Sequence, residues 1–314
     1  MEEELTAAAY IAIYAGLLIF LAGCMRRIVQ YARTPLHLRW ELYPLPHEHP
    51  YRAAYGGSYF ETQEWWRRPQ VRNRRGEISV MVEEVVFLKG LRQFNRRLWL
   101  PSFLFHAGLY LTIGAIALML AGALASGFSA AVHVPGLAAA FSRVGSGCGL
   151  AAAALVIAGA CLLLARRISD SALRNSTHAG DIANLLLFIF AFSLIAAGAL
   201  VHGPNAATPG EFARGVLHFD RRLQVAPIFG AGIILASALA AYIPFTHMAH
   251  FIAKYFTWHA VRWDDRRTEA GGTLEARMAL NLSRRPTWSA PHIGADGRRS
   301  WAEIAASAPK ETKK

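Results

Sequence analysis

Three histidines in this chain sit where an imidazole has to be explained. Twelve are present. His37, His47, His49, His178, His259 and His292 fall in connecting segments or the tail, and His133, His202 and His218 fall at the opposite ends of apolar segments. His106, His247 and His250 remain. A polar ring inside a membrane span is costly and marks a functional site by default. His106 lies eight residues beyond Leu98, roughly 12 Å into an apolar segment at 1.5 Å per residue. His250 lies 27 residues beyond Leu223, about 40 Å along a straight helix. Two imidazoles on separate helices toward the same membrane face are what an axially ligated haem iron requires. The competing reading for each is a hydrogen-bonded packing residue. His247 precedes His250 by three positions, on a neighbouring face of the same expected helix. Spacing leaves the choice between them open.

These histidines must be held by membrane-spanning elements. The chain is 54% hydrophobic and only 17% charged, against about 25% charged in soluble domains. Its apolar residues cluster into five runs, about Leu5–Met25, Leu98–Phe128, Val144–Ala165, Ile182–Val201 and Leu223–Ala249. Each reaches the ~20 residues a helical span needs. Lipid-exposed backbone must satisfy its own hydrogen bonds, so all five are expected to be helices. A β-barrel would show short alternating segments instead. The expected fold is an all-α membrane protein, a five-helix bundle. The first run is not a cleaved signal, since it opens on Glu2, Glu3 and Glu4 and has a long apolar core.

Charge sets the expected orientation. Residues 26–97, 166–180 and 251–314 hold 14, 3 and 12 of the 33 Lys and Arg, whereas 127–143 and 202–222 hold 1 and 3. The positive-inside rule then puts the N-terminus outside and the C-terminus in the cytoplasm, in a multi-pass protein of the cell inner membrane. The net charge of +12 is mostly this topology signal, with attraction to anionic headgroups or an acidic partner as a further use. Nothing points to nucleic acid. Cys24, Cys148 and Cys161 lie in or at the ends of spans, with no Cys-x-x-Cys-His for covalent haem and no cysteine cluster for iron–sulfur or zinc.

Two segments face the cytoplasm in this scheme. The loop 28–97 is rich in Arg, Pro and aromatics, and Glu77–Arg92 is expected to form an amphipathic helix leading into span two. The tail beyond His250 ends in about thirty residues of weakly ordered composition. Both segments suit interfacial anchoring or a docking platform for a cytoplasmic subunit. Gly145, Gly147, Gly149, Gly230 and Gly232 are read as close helix packing. The 145–149 patch lacks the strand and Lys-Ser/Thr of a nucleotide loop. No internal repeat is visible, which weakens a transporter reading.

The stretch Tyr242-Ile243-Pro244-Phe245-Thr246-His247-Met248-Ala249-His250 resembles the end of the fifth helix in the haem b gamma subunit of respiratory nitrate reductases. It is similar also to related membrane subunits of transmembrane redox complexes in sulfate-reducing bacteria (the Hmc, Tmc and Dsr types). In that family the last histidine of a Pro-Phe-Ser/Thr-x-x-x-His pattern ligates haem, and the pattern lands on His250. Leu104-Phe105-His106 matches the start of the family's second helix, whose histidine ligates the same haem. Gly180-Asp181, Lys254, Trp258, His259, Arg262, Trp263, Asp264 and Asp265 fit as well, and Leu36–Glu48 and Tyr55–Trp66 resemble the sulfate-reducer subgroup. The resemblance covers roughly residues 5–265. It implies a membrane cytochrome b domain over 1–265, with the loop 28–97 inserted, and a cytoplasmic tail over 266–314.

The chain departs from the family where a second haem would be held. The matching positions are about Ile116 and Gly232, neither able to ligate. The resemblance therefore implies one haem b, on the inner side, held by His106 and His250 with His247 as alternative. Arg96, Arg97, Trp99 and Lys254 are the candidates to meet its propionates. It implies electron transfer between a menaquinone pool and a cytoplasmic iron–sulfur subunit of the HdrD-like type, with a periplasmic multihaem cytochrome c as further partner and no active site of the chain's own. A quinone is expected either in the outer half, among Gly114, Ala115, Gly230 and Gly232 with His202 at the rim, or on the inner side near His106 and Lys254. The rival function is a haem-free membrane anchor or transporter subunit.

Overall fold

The structure is a computed structural model that describes residues 2–33, 48–55, 61–69, 73–132, 135–201, 206–258, 269–290 and 293–307. In chain order the helices are α1 (Glu2–Ala32), α2 (Pro50–Tyr55), α3 (Arg74–Val86), α4 (Lys89–Phe94), α5 (Arg96–Val132), α6 (Pro135–Ser169), α7 (Ser171–Asn175), α8 (Ala179–Leu200), α9 (Pro209–His218), α10 (Pro227–Tyr242), α11 (His250–Trp258), α12 (Thr273–Leu282) and α13 (Trp301–Ala306). A two-stranded antiparallel hairpin, β1 (Ser289–Ala290) and β2 (Ala295–Asp296), pairs Ser289 with Asp296 and Ala290 with Ala295. Among the described residues, five helices are long and apolar enough to cross a membrane: Glu3–Ala32, Arg96–Ser126, Gly136–Ser169, Ala179–Leu200 and Pro227–Phe245. The protein is an all-α membrane protein, as its apolar runs require.

The chain divides into two compact units. The first is Met1–Cys24 with Met81–Met248, and the second is Met25–Val80 with Ala249–Lys314. In the first, α5, α6, α8 and α10 close on one another through small residues. A Cβ on Gly108 would lie 2.7 Å from the Val156 amide nitrogen, and one on Gly232 would lie 2.7 Å from that of Ile195. Helices in lipid gain by such contact because burial from water no longer drives them together. The core they enclose includes Phe105, Val156, Ala160, Phe188, Phe192 and Leu239. The packing role expected of the glycine patch holds at Gly145, whose Cβ would meet Ala115 O and Met119 N at 3.0 Å, but not at Gly147, which faces open space.

Helix α1 is fixed by a ladder of hydroxyls at i, i+4 and i+8. Thr6 Oγ1 donates to Leu223 O (2.9 Å), Tyr10 OH to Asp220 O (3.2 Å) and Tyr14 OH to Val216 O. Local amides reach Val216 O (from Phe219) and Asp220 O (from Leu223) only at 3.4 Å, and the α1 hydroxyls complete these carbonyls at the end of α9 and in the loop after it. Tyr10 is fully buried between Phe212 and Phe219. Helix α9 itself is set by a Thr208–Glu211 capping box and by Pro at its first turn.

Three expectations need correcting. The fifth apolar run does not form one helix over Leu223–Ala249. Helix α10 starts at Pro227 and stops at Tyr242, followed by 3-10 turns at Ile243–Phe245 and His247–Ala249. Pro244 has no N–H to continue the ladder, and Thr246 takes extended backbone (φ −116°, ψ 178°). The expected helix Glu77–Arg92 is broken at Leu88, which is left-handed (φ 51°, ψ 49°), giving α3 and α4. The chain's last thirty residues are not formless over 293–307. In the second unit, Gly294 (φ +70°) and Gly297 (φ +73°) flank β2, and a Ser300–Glu303 capping box opens α13. Ala295 and Ile304 are buried under Trp301. Asp296 accepts the amides of Arg298 and Arg299, both at 2.9 Å. Those amide bonds, Arg299's first, hold its carboxyl down to about 2. Also in this unit, Tyr31 near the end of α1 packs on Phe256 (5.8 Å), and Arg277 donates to Ala32 O (3.3 Å).

Candidate functional site

His106 is placed by α5. One turn earlier on the same helix, Ser102 is buried, and its carbonyl lies 2.7 Å from His106 Nδ1. A carbonyl oxygen only accepts, so Nδ1 carries a hydrogen, and in the neutral ring the lone pair is then on Nε2. That is the tautomer of a metal-ligating histidine whose orientation is fixed by its other nitrogen. The neighbouring Phe105 is locked edge-on against Phe188 of α8 at 4.9 Å. Gly159 of α6 lies so close to the Phe105 backbone that no Cβ would fit between them. Backbone rotation of α5 is therefore restricted at the position that presents His106.

His247 and His250 do not share a helix. His247 lies in the 3-10 turn after α10, and His250 opens α11 as a residue of the second unit. The straight-helix depth argument thus fails for His250. His247 has a defined partner: its Nε2 lies 3.3 Å from Asp181 Oδ1. Asp181 also takes the His178 amide at 3.0 Å as part of the capping box that starts α8, and Arg167 Nη1 from α6 at 3.4 Å. One carboxylate so joins the end of α6, the start of α8 and the turn that leads to His250. Gly180-Asp181 was visible in sequence only as a family match. An acidic residue at N3 of a span, three after His178, was the available physical signal. Asn184, one turn further on, is buried in the span with no hydrogen-bond partner for its Oδ1 among the described residues. An Asn inside an apolar run was likewise legible.

Trp99 spends its indole N–H on Phe87 O (2.8 Å), lies 5.3 Å from Phe103 and carries the Arg92 guanidinium at 5.4 Å from its centroid. Its only donor is thereby engaged within the protein. Arg97 is exposed at the start of α5, and Lys254 lies in α11 in the second unit. The four small residues considered for a quinone in the other half of the bundle do not line one space. Gly114 meets nothing within 4 Å, Ala115 is buried beside Gly145, Gly230 abuts Leu5 and Gly232 abuts Ile195. His202, His259, Arg262, Trp263, Asp264 and Asp265 lie outside the described residues, as do Leu36–His47.

Five apolar helices define a multi-pass membrane protein, and one of them carries a histidine whose Nδ1 hydrogen is fixed by its own backbone. Residues 92–264, just over half of the chain, match the nitrate reductase gamma subunit family, and the chain belongs to it. The match takes in α5, α6, α8 and α10 and leaves out α1. No curated protein matches the chain. The family is a haem-containing electron-transfer subunit of membrane redox complexes. His106 is a donor of the kind that group needs, an imidazole with its Nδ1 hydrogen fixed by the Ser102 carbonyl.

Proposed function

We propose that the chain is the haem b subunit of a respiratory complex of the sulfate-reducer type. It would pass electrons between the menaquinone pool and a cytoplasmic HdrD-like iron–sulfur subunit, with a periplasmic multihaem cytochrome c as further partner. His106 and His250 are the axial ligands of a single haem, and Arg97, Trp99 and Lys254 lie toward its propionates. Trp99 does so through its ring, its N–H being engaged elsewhere. The N-terminus is outside and the C-terminus cytoplasmic, in the inner membrane. The membrane domain is 1–265, and the tail is 266–314.

The observation that carries this reading is the His106 Nδ1–Ser102 O hydrogen bond inside a span of this family. The place of His250 as the last histidine of the Pro244-Phe245-Thr246 motif supports it over His247 as second ligand. The haem supplies a one-electron carrier; the chain's residues hold and orient it and keep water from it. Close packing of Gly230 and Gly232 supports a quinone on the His106 side rather than among the small residues. The test is the visible spectrum of the purified protein after reduction. A low-spin b-type band is expected in the parent and in His247→Ala, and its loss in His106→Ala and His250→Ala. A parent without haem would return the chain to a membrane anchor. Loss in His247→Ala with retention in His250→Ala would reverse the ligand assignment.

A further inference from the structure

We propose that the α3–α4 hairpin is a membrane-interface anchor, seated among phospholipids at the Arg96 end of α5 with anionic headgroups over Arg92 and Arg96. The apolar residues of α3 recur at i, i+4 and i+7 as Ile78, Val82 and Val85, all exposed, and Phe87 and Phe94 continue the surface, Phe94 at 89% exposure. An exposed apolar surface of this kind, laid in the membrane plane, sits some 5–10 Å into the headgroup–acyl boundary.

The hairpin's attachment to a membrane span fixes which occupant covers that face. Tyr110 OH donates to Val85 O and Trp99 Nε1 to Phe87 O, both at 2.8 Å. Trp99 is in the first turn of α5, and Tyr110 stands 11 residues further on, about 16 Å along the helix, with its side chain leaning back toward the N-terminus. Residues 85–87 therefore lie beside the opening turns of a spanning helix. The carbonyls so satisfied are those at the end of α3, which have no helical donors. In water they would be hydrated, whereas at an acyl boundary the protein must supply the donor.

The charges agree. Glu83 is neutralised by Lys89, while Arg92 and Arg96 are exposed. Basic residues beside a span attract anionic lipid headgroups.

The full-length protein, with Cys24, Cys148 and Cys161 replaced by Ala, is placed in nanodiscs of mixed neutral and anionic phospholipid. Nitroxides are attached singly at positions 82, 87 and 94, with position 113, two-thirds exposed in mid-span, as the benchmark of a lipid-facing site, and position 298, exposed in the turn after β2, as a water-facing control. Power saturation should show oxygen collisions exceeding those of a water-soluble nickel chelate at 82, 87 and 94, with the reverse at 298. Trp99→Phe with Tyr110→Phe should shift label 87 toward the nickel reagent while label 113 stays unchanged. Nickel access at 82, 87 and 94 in the parent would overturn the anchor, as would shielding from both reagents, which would mean protein covers the face. Identical profiles in purely neutral lipid would overturn the headgroup assignment.

Discussion

Asp181→Ala is the substitution that most directly tests how the bundle presents its histidines. The carboxylate accepts from the His178 amide at 3.0 Å, Arg167 at 3.4 Å and His247 at 3.3 Å. Loss of a capping box costs about 1 kcal/mol. The Arg167 pair is partly buried, with 31% and 15% of the two side chains exposed, so about 1 kcal/mol is assigned to it, between the surface and buried limits. His247 is 63% exposed and adds little to stability. The total is about 2 kcal/mol, roughly a 30-fold shift of the folding equilibrium. Asp181→Asn keeps an acceptor for the cap and should lose about half of this. Unfolding in mixed micelles titrated with sodium dodecyl sulfate, followed by circular dichroism, gives the stability. A double-mutant cycle with Arg167→Ala should return a coupling of about 1 kcal/mol. A purely structural role would not move the reduced spectrum, but a turn that sets the approach to His250 would, so the α-band and midpoint potential of Asp181→Asn are expected to change. An Asp181→Ala protein within 0.5 kcal/mol of the parent and with an unaltered spectrum would refute the reasoning.

Gly145→Ala should destabilise by about 1–3 kcal/mol through overpacking against Ala115 and Met119. Gly147→Ala, two residues away in open space, should be neutral or stabilise by up to about 1 kcal/mol; the same detergent titration separates them, and equal effects would contradict the packing. Glu211 is held below the usual glutamate range by the Thr208 amide first and its hydroxyl second. A depressed carboxyl contributes stability above its unfolded pKa and loses it as pH falls through the folded value. Helix α9 should therefore loosen on acidification below the ordinary glutamate range, and Glu211→Gln should remove that dependence in hydrogen exchange corrected for intrinsic rates. Asp296→Ala should open the turn between β2 and α13 and raise protease sensitivity near residue 298 while leaving the stability of the membrane unit unchanged. Protection equal to the parent's would show that the two amide contacts do not hold the turn.

The sequence by itself determined the five spans and the place of His106 within one of them. Apolar runs of ~20 residues have a single solution in hydrocarbon, a helix that satisfies its own backbone, so length and composition suffice. Tertiary structure decided the rest, because each feature depends on a partner distant in the chain. Pro244 announced a weak point, but only the fold shows that the extended Thr246 takes both histidines off α10 and that His247 falls in a 3-10 turn while His250 opens α11. The Thr6–Tyr10–Tyr14 ladder reads as an ordinary helix face until the carbonyls of 216–223 are laid against it. Gly145 and Gly147 look alike in sequence and differ only in whether α5 lies opposite. Asp181 shows its helix cap locally, through His178, but its ties to Arg167 and His247 span 14 and 66 residues. Backbone hydrogen bonding in lipid is a local requirement that a window of residues can express, whereas side-chain satisfaction is met by whichever element packs alongside.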